Sequence, residues 1–295
     1  MSVDIACGEL AFVDLTFPGL DALPASGEER HSRDFLRSPG GAAITAIGAA
    51  RLGLSAALVS PVGADADGDF LRARLAADGV RWAGRTVART AVTAVLPTDG
   101  DRALATFDPG EQVTAAELAA VAPRAAILSL PRLGVAPSGA RLYATAGDAE
   151  ARAGLPSLEG VHALLVNERE AQLLTGAADA HAAARRLGEL VPRAIVTLGP
   201  AGALELSGGE LVGVGAIATG PAVDTTGAGD LFAAAYVWAD LHGAPALERL
   251  QWAVLYAGLS VHVATAVAGA ATLDALVEAG ARHGLASVPI EEEVQ

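Results

Sequence analysis

The sequence predicts an α/β fold, a central mostly parallel sheet flanked by helices, with a small β-sheet lid. Three observations carry this. Short apolar runs that read as strands alternate with longer Ala-rich runs that read as helices, as in a parallel sheet with helical crossovers. Glycines cluster at Gly40-Gly41 and Gly227–Gly229, where a loop becomes a helix N-terminus. Two pairs of strand-like runs break the alternation and supply the lid.

In chain order, Val3–Cys7 reads as the first strand and Gly40–Leu52 as an Ala-rich helix leading to a strand at Ala56–Ser60. Asp67–Asp78 is a helix, and Ala125–Leu130 and His162–Val166 are buried strands. Glu168–Thr175 and Ala178–Leu190 are helices, followed by a strand at Ala194–Leu198 and a hairpin of Ala203–Leu206 with Glu210–Val214. Leu231–Leu241 is a helix of good formers. Leu250–Leu273 carries no charge and is long enough to cross a bilayer, but its Gln251, Ser260, His262 and glycines mark a buried core helix, broken near Gly269. The lid strands are Leu10–Phe17 with Arg30–Leu36, and Arg89–Pro97 with Arg102–Phe107. The second pair flanks Asp99-Gly100, a dipeptide that favours a hairpin turn. No linker, repeat or low-complexity tract stands out, so residues 1–295 read as a single domain.

The composition excludes several functions. The 295 residues, 52% of them hydrophobic, supply a sizeable core, and a net charge of −14 speaks against nucleic acid as a partner. Cys7 is the only cysteine, so neither a disulfide framework nor a Cys-based zinc site forms within one chain. The six histidines show no ligand-pair spacing. Lysine is absent: all 20 basic side chains are arginine. That rules out a P-loop lysine, a pyridoxal-phosphate Schiff base and a protein-kinase strand lysine. Nucleotide chemistry here must rest on backbone amides, arginine and metal. Gly213–Ala218 fits GxGxxA, but Thr219-Gly-Pro221 follows where a dinucleotide site needs a helix. Met1-Ser-Val-Asp-Ile lacks the basic region of a signal peptide, so the expected location is the cytoplasm, with no membrane contact.

The most informative stretch is Asp224-Thr-Thr-Gly-Ala-Gly-Asp230. Its glycines precede a helix, where unpaired N–H groups and the positive end of the helix dipole gather anions. Asp230 places a carboxylate beside that anion site. A base next to an anion hole can deprotonate a hydroxyl while charge on a transferring phosphoryl group is stabilised. A bare Gly-Ala-Gly-Asp also serves as a capped turn; the longer string favours function.

The string resembles the second signature of the ribokinase-like, or PfkB, family of carbohydrate kinases. The resemblance implies that Asp230 is the catalytic base, that Gly227, Ala228 and Gly229 form the anion hole, and that Asp224 helps to hold a monovalent cation such as K⁺. Ser38–Gly53 looks like the family's first signature, with Gly40 and Gly41 as the paired glycines against which the substrate rests. The family has a substrate-binding Asn here. Counting from Gly40-Gly41 gives Thr45 in its place, and counting back from Arg51-Leu-Gly53 gives Ile44, so the segment is one residue short. Asp14 resembles the N-terminal Asp that grips substrate hydroxyls. Val62–Gly68 matches the VGxDxxG turn, which positions the following helix.

Asn167-Glu-Arg-Glu170 places Asn167 and Glu170 on one face of a helix start. It matches the family's N-x-x-E motif, which orders Mg²⁺ with its waters and the ATP phosphates; by itself the same pattern is an acidic helix start. Thr197, Gly199 and Gly202 resemble the family's T-x-G-x-x-G loop on the ATP side, with a plain strand–turn–strand as the competing view.

The expected function is an ATP-dependent phosphotransferase acting on the hydroxymethyl group of a small sugar, with ATP and Mg²⁺ as cofactors. A nucleoside kinase of the same family, adenosine-like in substrate, stays open, as does a non-catalytic sugar- or nucleotide-binding regulator. The resemblance also implies a homodimer contact through the lid.

Overall fold

The computed structural model describes residues 2–20, 22–98 and 101–285. The strands are β1 (Val3–Cys7), β2 (Ala11–Thr16), β3 (Leu36–Gly41), β4 (Ala56–Leu58), β5 (Val62–Gly63), β6 (Arg81–Trp82), β7 (Thr86–Val87), β8 (Ala91–Thr98), β9 (Asp101–Phe107), β10 (Pro123–Ser129), β11 (Arg141–Thr145), β12 (Val161–Asn167), β13 (Arg193–Thr197), β14 (Ala203–Ser207) and β15 (Glu210–Val214). The helices are α1 (Ala42–Arg51), α2 (Ala66–Ala77), α3 (Ala115–Ala120), α4 (Asp148–Ala153), α5 (Glu168–Thr175), α6 (Ala180–Gly188), α7 (Ala228–Leu241), α8 (Ala246–Ser260), α9 (Ala266–Gly269) and α10 (Leu273–Arg282).

Nine strands form the main sheet in the order β15-β14-β13-β12-β11-β10-β1-β4-β6. The strands from β13 to β6 are parallel; β14 and β15 close one edge as an antiparallel hairpin. Period-2 alternation divides the core between the two faces. Ile5, Cys7, Ile127, Tyr143 and Leu165 face α1, α7 and α8. Ala6, Leu128, Ala144, Leu164 and Val166 face the side of α3, α5 and α6. Strands covered on both faces must be apolar throughout, hence their continuous hydrophobic runs. α7 is buried along its whole length from Leu231 to Asp240, as befits a helix apolar on all sides.

The second sheet has the order β3-β2-β8-β9, with β2 parallel to β8 and the other pairs antiparallel. The expected partner for β2 was Arg30–Leu36; the partner is instead Leu36–Gly41. Ser38-Pro-Gly-Gly41 reads as a breaker, yet β3 is an edge strand, where a missing N–H costs no ladder bond. Consequently Gly40 and Gly41 end a strand, and the helix starts at Ala42. Thr98 lies opposite Asp101, as the hairpin requires, while Asp99 and Gly100 are outside the described residues.

The apolar stretch after Leu250 breaks just after Gly269, as expected, and also at 261–265. There the chain leaves the helix to bond the loop before α7: Val223 and Asp224 donate backbone N–H groups to Val261 O at 2.6 and 3.1 Å, and Thr265 N–H donates to the Asp224 carboxylate at 2.9 Å. No helix among the described residues is long and apolar enough to cross a membrane. The sequence did not reveal strand β11 or the short helices α3 and α4; the two helices, of six residues each, have too few for a periodic signal.

Candidate active site

A cleft of about 450 Å³ opens at the C-terminal ends of the parallel strands, where open α/β sheets bind ligands. Its floor is made of strand-end residues: Thr197, Asn167, Thr145 and Ser129 each close their strand, and Glu9 follows β1. The register sets Ser129 opposite Thr145 and Asn167 opposite Thr197. Gly41 at the end of β3, Thr45 of α1, and Gly229 and Asp230 of α7 also line the cleft.

Helix packing brings Thr45 to Asp230. A Cβ at Gly48 would meet the Leu231 and Ala234 side chains at 2.6 and 3.3 Å, so the absence of one lets α1 lie directly on α7. Thr45, on the same face one turn earlier, then donates its hydroxyl to Asp230 at 3.2 Å. Of the two candidates from the first signature, Thr45 is the one that lines the cleft. Ile44 points elsewhere: its side chain packs where a Cβ on Gly227 would stand, at 2.7 Å.

The loop before α7 is shaped by Asp224 and Gly227. Asp224 accepts from Thr226 N–H at 2.8 Å and, through its other oxygen, from Thr265 N–H. Gly227 has φ 75° and caps α7, a conformation that L side chains resist. Gly229 has nothing within 4 Å of a built Cβ; its surroundings are open. The N-terminal amides of α7 therefore have room for an anion.

On the other side, Asn167 and Glu170 form a capping box. Glu170 N–H donates to the Asn167 side chain and Asn167 N–H to the Glu170 carboxylate, both at 2.8 Å. Burial, together with the Asp148 and Glu150 carboxylates, pushes the Glu170 carboxyl up to about 7, against its bonds to Asn167. Thr197 lines the same end, but Gly199 and Gly202 do not: they turn the chain from β13 into β14, with Leu198 N–H bonded to Gly202 O at 2.8 Å.

Asp224, Gly227 and Ala228 do not line the cleft, although Gly229 and Asp230, which follow them in the chain, do. Asp14 and Gly40 also stay off the wall; Asp14 is only 7% exposed and its carboxylate fills the space where a Gly40 side chain would begin. Sequence reading missed Glu9, Ser129, Thr145 and Glu150. Their signal is positional, the ends of adjacent parallel strands, and it needs the strand order to be read.

The family model for pfkB family carbohydrate kinases matches residues 2–272. Ribokinase from Arabidopsis thaliana, solved with ribose and ATP, is 23% identical, with a TM-score of 0.80 over 95% of this chain and 99% of that one. A putative ribokinase II from E. coli, solved with ATP and Mg²⁺, is 23% identical, with a TM-score of 0.78 over 96% of this chain and 100% of that one. Adenosine kinase from Sinorhizobium meliloti is 22% identical, with a TM-score of 0.73 over 92% of this chain and 98% of that one. These likenesses agree with the fold expected from the sequence. No curated protein sequence matches the chain significantly.

Proposed function

Because the chain belongs to the pfkB family of carbohydrate kinases, we propose that it transfers the γ-phosphoryl group of ATP to a hydroxymethyl group of a small sugar. The supporting observation is that Asp230, in the first turn of α7, shares one cleft with Asn167 and Thr197 on adjacent strand ends and with Glu170 in the first turn of α5. A base at an anion-binding helix terminus lies across from groups suited to a nucleotide.

In this reading the acceptor hydroxyl lies against Asp230. Asp230 takes its proton as the O–H bond breaks, the acceptor oxygen bonds to the γ-phosphorus, and the bond to the ADP oxygen breaks. The amides of Gly227, Ala228 and Gly229 meet the negative charge on the transferring oxygens. Thr45 holds the Asp230 carboxylate in place through its hydroxyl. Asp14 orders the strand and glycine pair against which the acceptor rests. Thr197 and the turn of Gly199 and Gly202 bound the nucleotide end.

The oxygen donors of Asn167 and Glu170 suit Mg²⁺, a hard cation that keeps several waters. The crowding of Glu170 by Asp148 and Glu150 is relieved by a cation there, so these residues fit the metal. When bound, Mg²⁺ neutralises charge on the phosphates. The lid in this reading is the sheet of β2, β3, β8 and β9. A nucleoside acceptor is the second reading, favoured by Leu10 and Phe12, which give the wall near Gly41 an apolar surface.

The test is phosphoryl transfer from ATP across a panel of sugars and nucleosides. Asp230→Asn is expected to keep its fold and ATP affinity and to lower kcat by about 10²–10⁴-fold. Turnover near that of the unaltered protein removes Asp230 from the mechanism. ATP and sugar binding with no transfer by the unaltered protein favours a regulator instead.

A further inference from the structure

Glu9 has no place in the mechanism above, yet it lines the cleft. It lies two residues beyond the end of β1, and β1 pairs with β10, which ends in Ser129. One oxygen of the Glu9 carboxylate, Oε1, accepts both the Ser129 N–H at 3.0 Å and the Ser129 hydroxyl. Among the described residues no hydrogen bond ends on Oε2. The side chain is thus fixed by one oxygen and has the other to offer.

The charge around it is one-sided. Among the described residues the cleft is lined by Glu9, Glu150, Glu170 and Asp230, and by neither arginine nor lysine. Lysine does not occur in the chain. Arg132, the cation that acts on Glu9, does not line the cleft; it donates to the Gln112 side chain at 2.7 Å. Burial pushes the Glu9 carboxyl up, with Glu150 adding to it, while the Ser129 bonds and Arg132 oppose the shift. Thr45 has its proton engaged by Asp230. Ionised, the carboxylates can only accept hydrogen bonds, so this end of the cleft calls for donors.

We infer that Glu9 is a specificity-determining residue for the acceptor: its carboxylate receives a hydroxyl or, better, an ammonium group of the acceptor and repels acceptors bearing carboxylate or phosphate. The inference rests on the reading above in taking this cleft as the acceptor's site. An ammonium makes a charge-assisted bond to the carboxylate and offsets the negative charge around it. An anionic acceptor brings like charge up to Glu9, and no arginine or lysine side chain lines the cleft to meet it.

The experiment is calorimetric titration of three acceptors matched in carbon number: a neutral sugar, its amino analogue and its sugar-acid analogue. Each is titrated into the unaltered protein and into Glu9→Gln with Mg²⁺ and a non-hydrolysable ATP analogue present. Phosphoryl transfer from ATP is measured for the same set. The amino sugar should bind most tightly and the sugar acid least. Glu9→Gln keeps an oxygen for Ser129 but removes the charge, so it should weaken amino-sugar binding by about 10- to 100-fold and narrow the gap to the sugar acid. A sugar acid bound as tightly as the neutral sugar overturns the inference, and that comparison needs only the unaltered protein. So does binding of none of the three, or an unchanged ranking in a folded Glu9→Gln. Binding ranked as expected with no transfer supports Glu9 and overturns the kinase reading alone.

Discussion

Gly227 and Gly229 stand two residues apart in one signature, and the structure gives them different work. A Cβ on Gly227 would meet Ala266 and Ile44 at 2.5 and 2.7 Å, and φ is 75°. Gly227→Ala should therefore lower stability by about 1–3 kcal/mol, through strain and displaced neighbours. Gly229 has open space around it and lines the cleft. Gly229→Ala should leave the unfolding temperature nearly unchanged and raise the KM for ATP or lower kcat, because the new methyl intrudes where phosphate approaches the amides. Thermal unfolding and steady-state kinetics on both variants separate the two effects. Equal losses of stability would remove the distinction.

At the scale of elements, Asp224 ties together two segments far apart in sequence. One oxygen holds Thr226 in the loop before α7; the other holds Thr265, a non-glycine residue at φ 71° between α8 and α9. Strain of that kind persists only where neighbours enforce it. The Asp224 clasp thus sets the entry angle of α7, and with it the position of Asp230. We propose that the same loop holds a monovalent cation such as K⁺, with Asp224 ordering it. Activity should then rise when K⁺ replaces tetramethylammonium, and Asp224→Ala should abolish that response and reduce turnover. A response of equal size in the variant separates Asp224 from the cation.

Across the whole molecule, α7 runs from the cleft at Asp230 to a buried polar cluster at Asp240. Asp240 is 4% exposed and receives the Tyr143 hydroxyl from β11 and the Arg193 guanidinium from β13, and contacts His162 of β12 at 3.0 Å. Arg249 of α8 approaches it at 3.6 Å and pairs with the fully buried Glu205 of β14. Burial alone raises a carboxyl, but here the bonds from His162, Tyr143 and Arg193 win and hold Asp240 well below the usual carboxylate range. A depressed native value means the stabilisation is complete above the unfolded pKa, about 3.9, and is lost as pH falls towards and through the native value. Asp240→Asn should destabilise the protein by about 3–5 kcal/mol near neutrality, since the partly buried Arg193 loses its counter-charge and the His162 and Tyr143 bonds are weakened. It should also flatten the fall in stability below pH 4. Urea titrations from pH 3 to 8 measure both, and a variant with an unaltered acid limb would show that other carboxylates govern it.

The local pattern determined the class of fold and the ends of the loop before α7. Continuous apolar runs in strands buried on both faces, glycine ahead of α7 and the Asp224–Asp230 string are all short-range signals, readable without a partner. Strand β3 was misplaced because Pro39 and the two glycines break helices and central strands; only the sheet order reveals an edge that accommodates them. The choice between Thr45 and Ile44 could not be made by counting, since α1 is a helix with both residues buried. Its packing through Gly48 onto α7 turns Thr45 towards Asp230 and Ile44 towards Gly227. Glu9 and Ser129 are 120 residues apart, and nothing local links them. They meet because β1 and β10 are neighbours in the sheet. Sequence fixes what each segment can form; which side chains share a cleft depends on strand order and helix packing, interactions between residues distant in the chain.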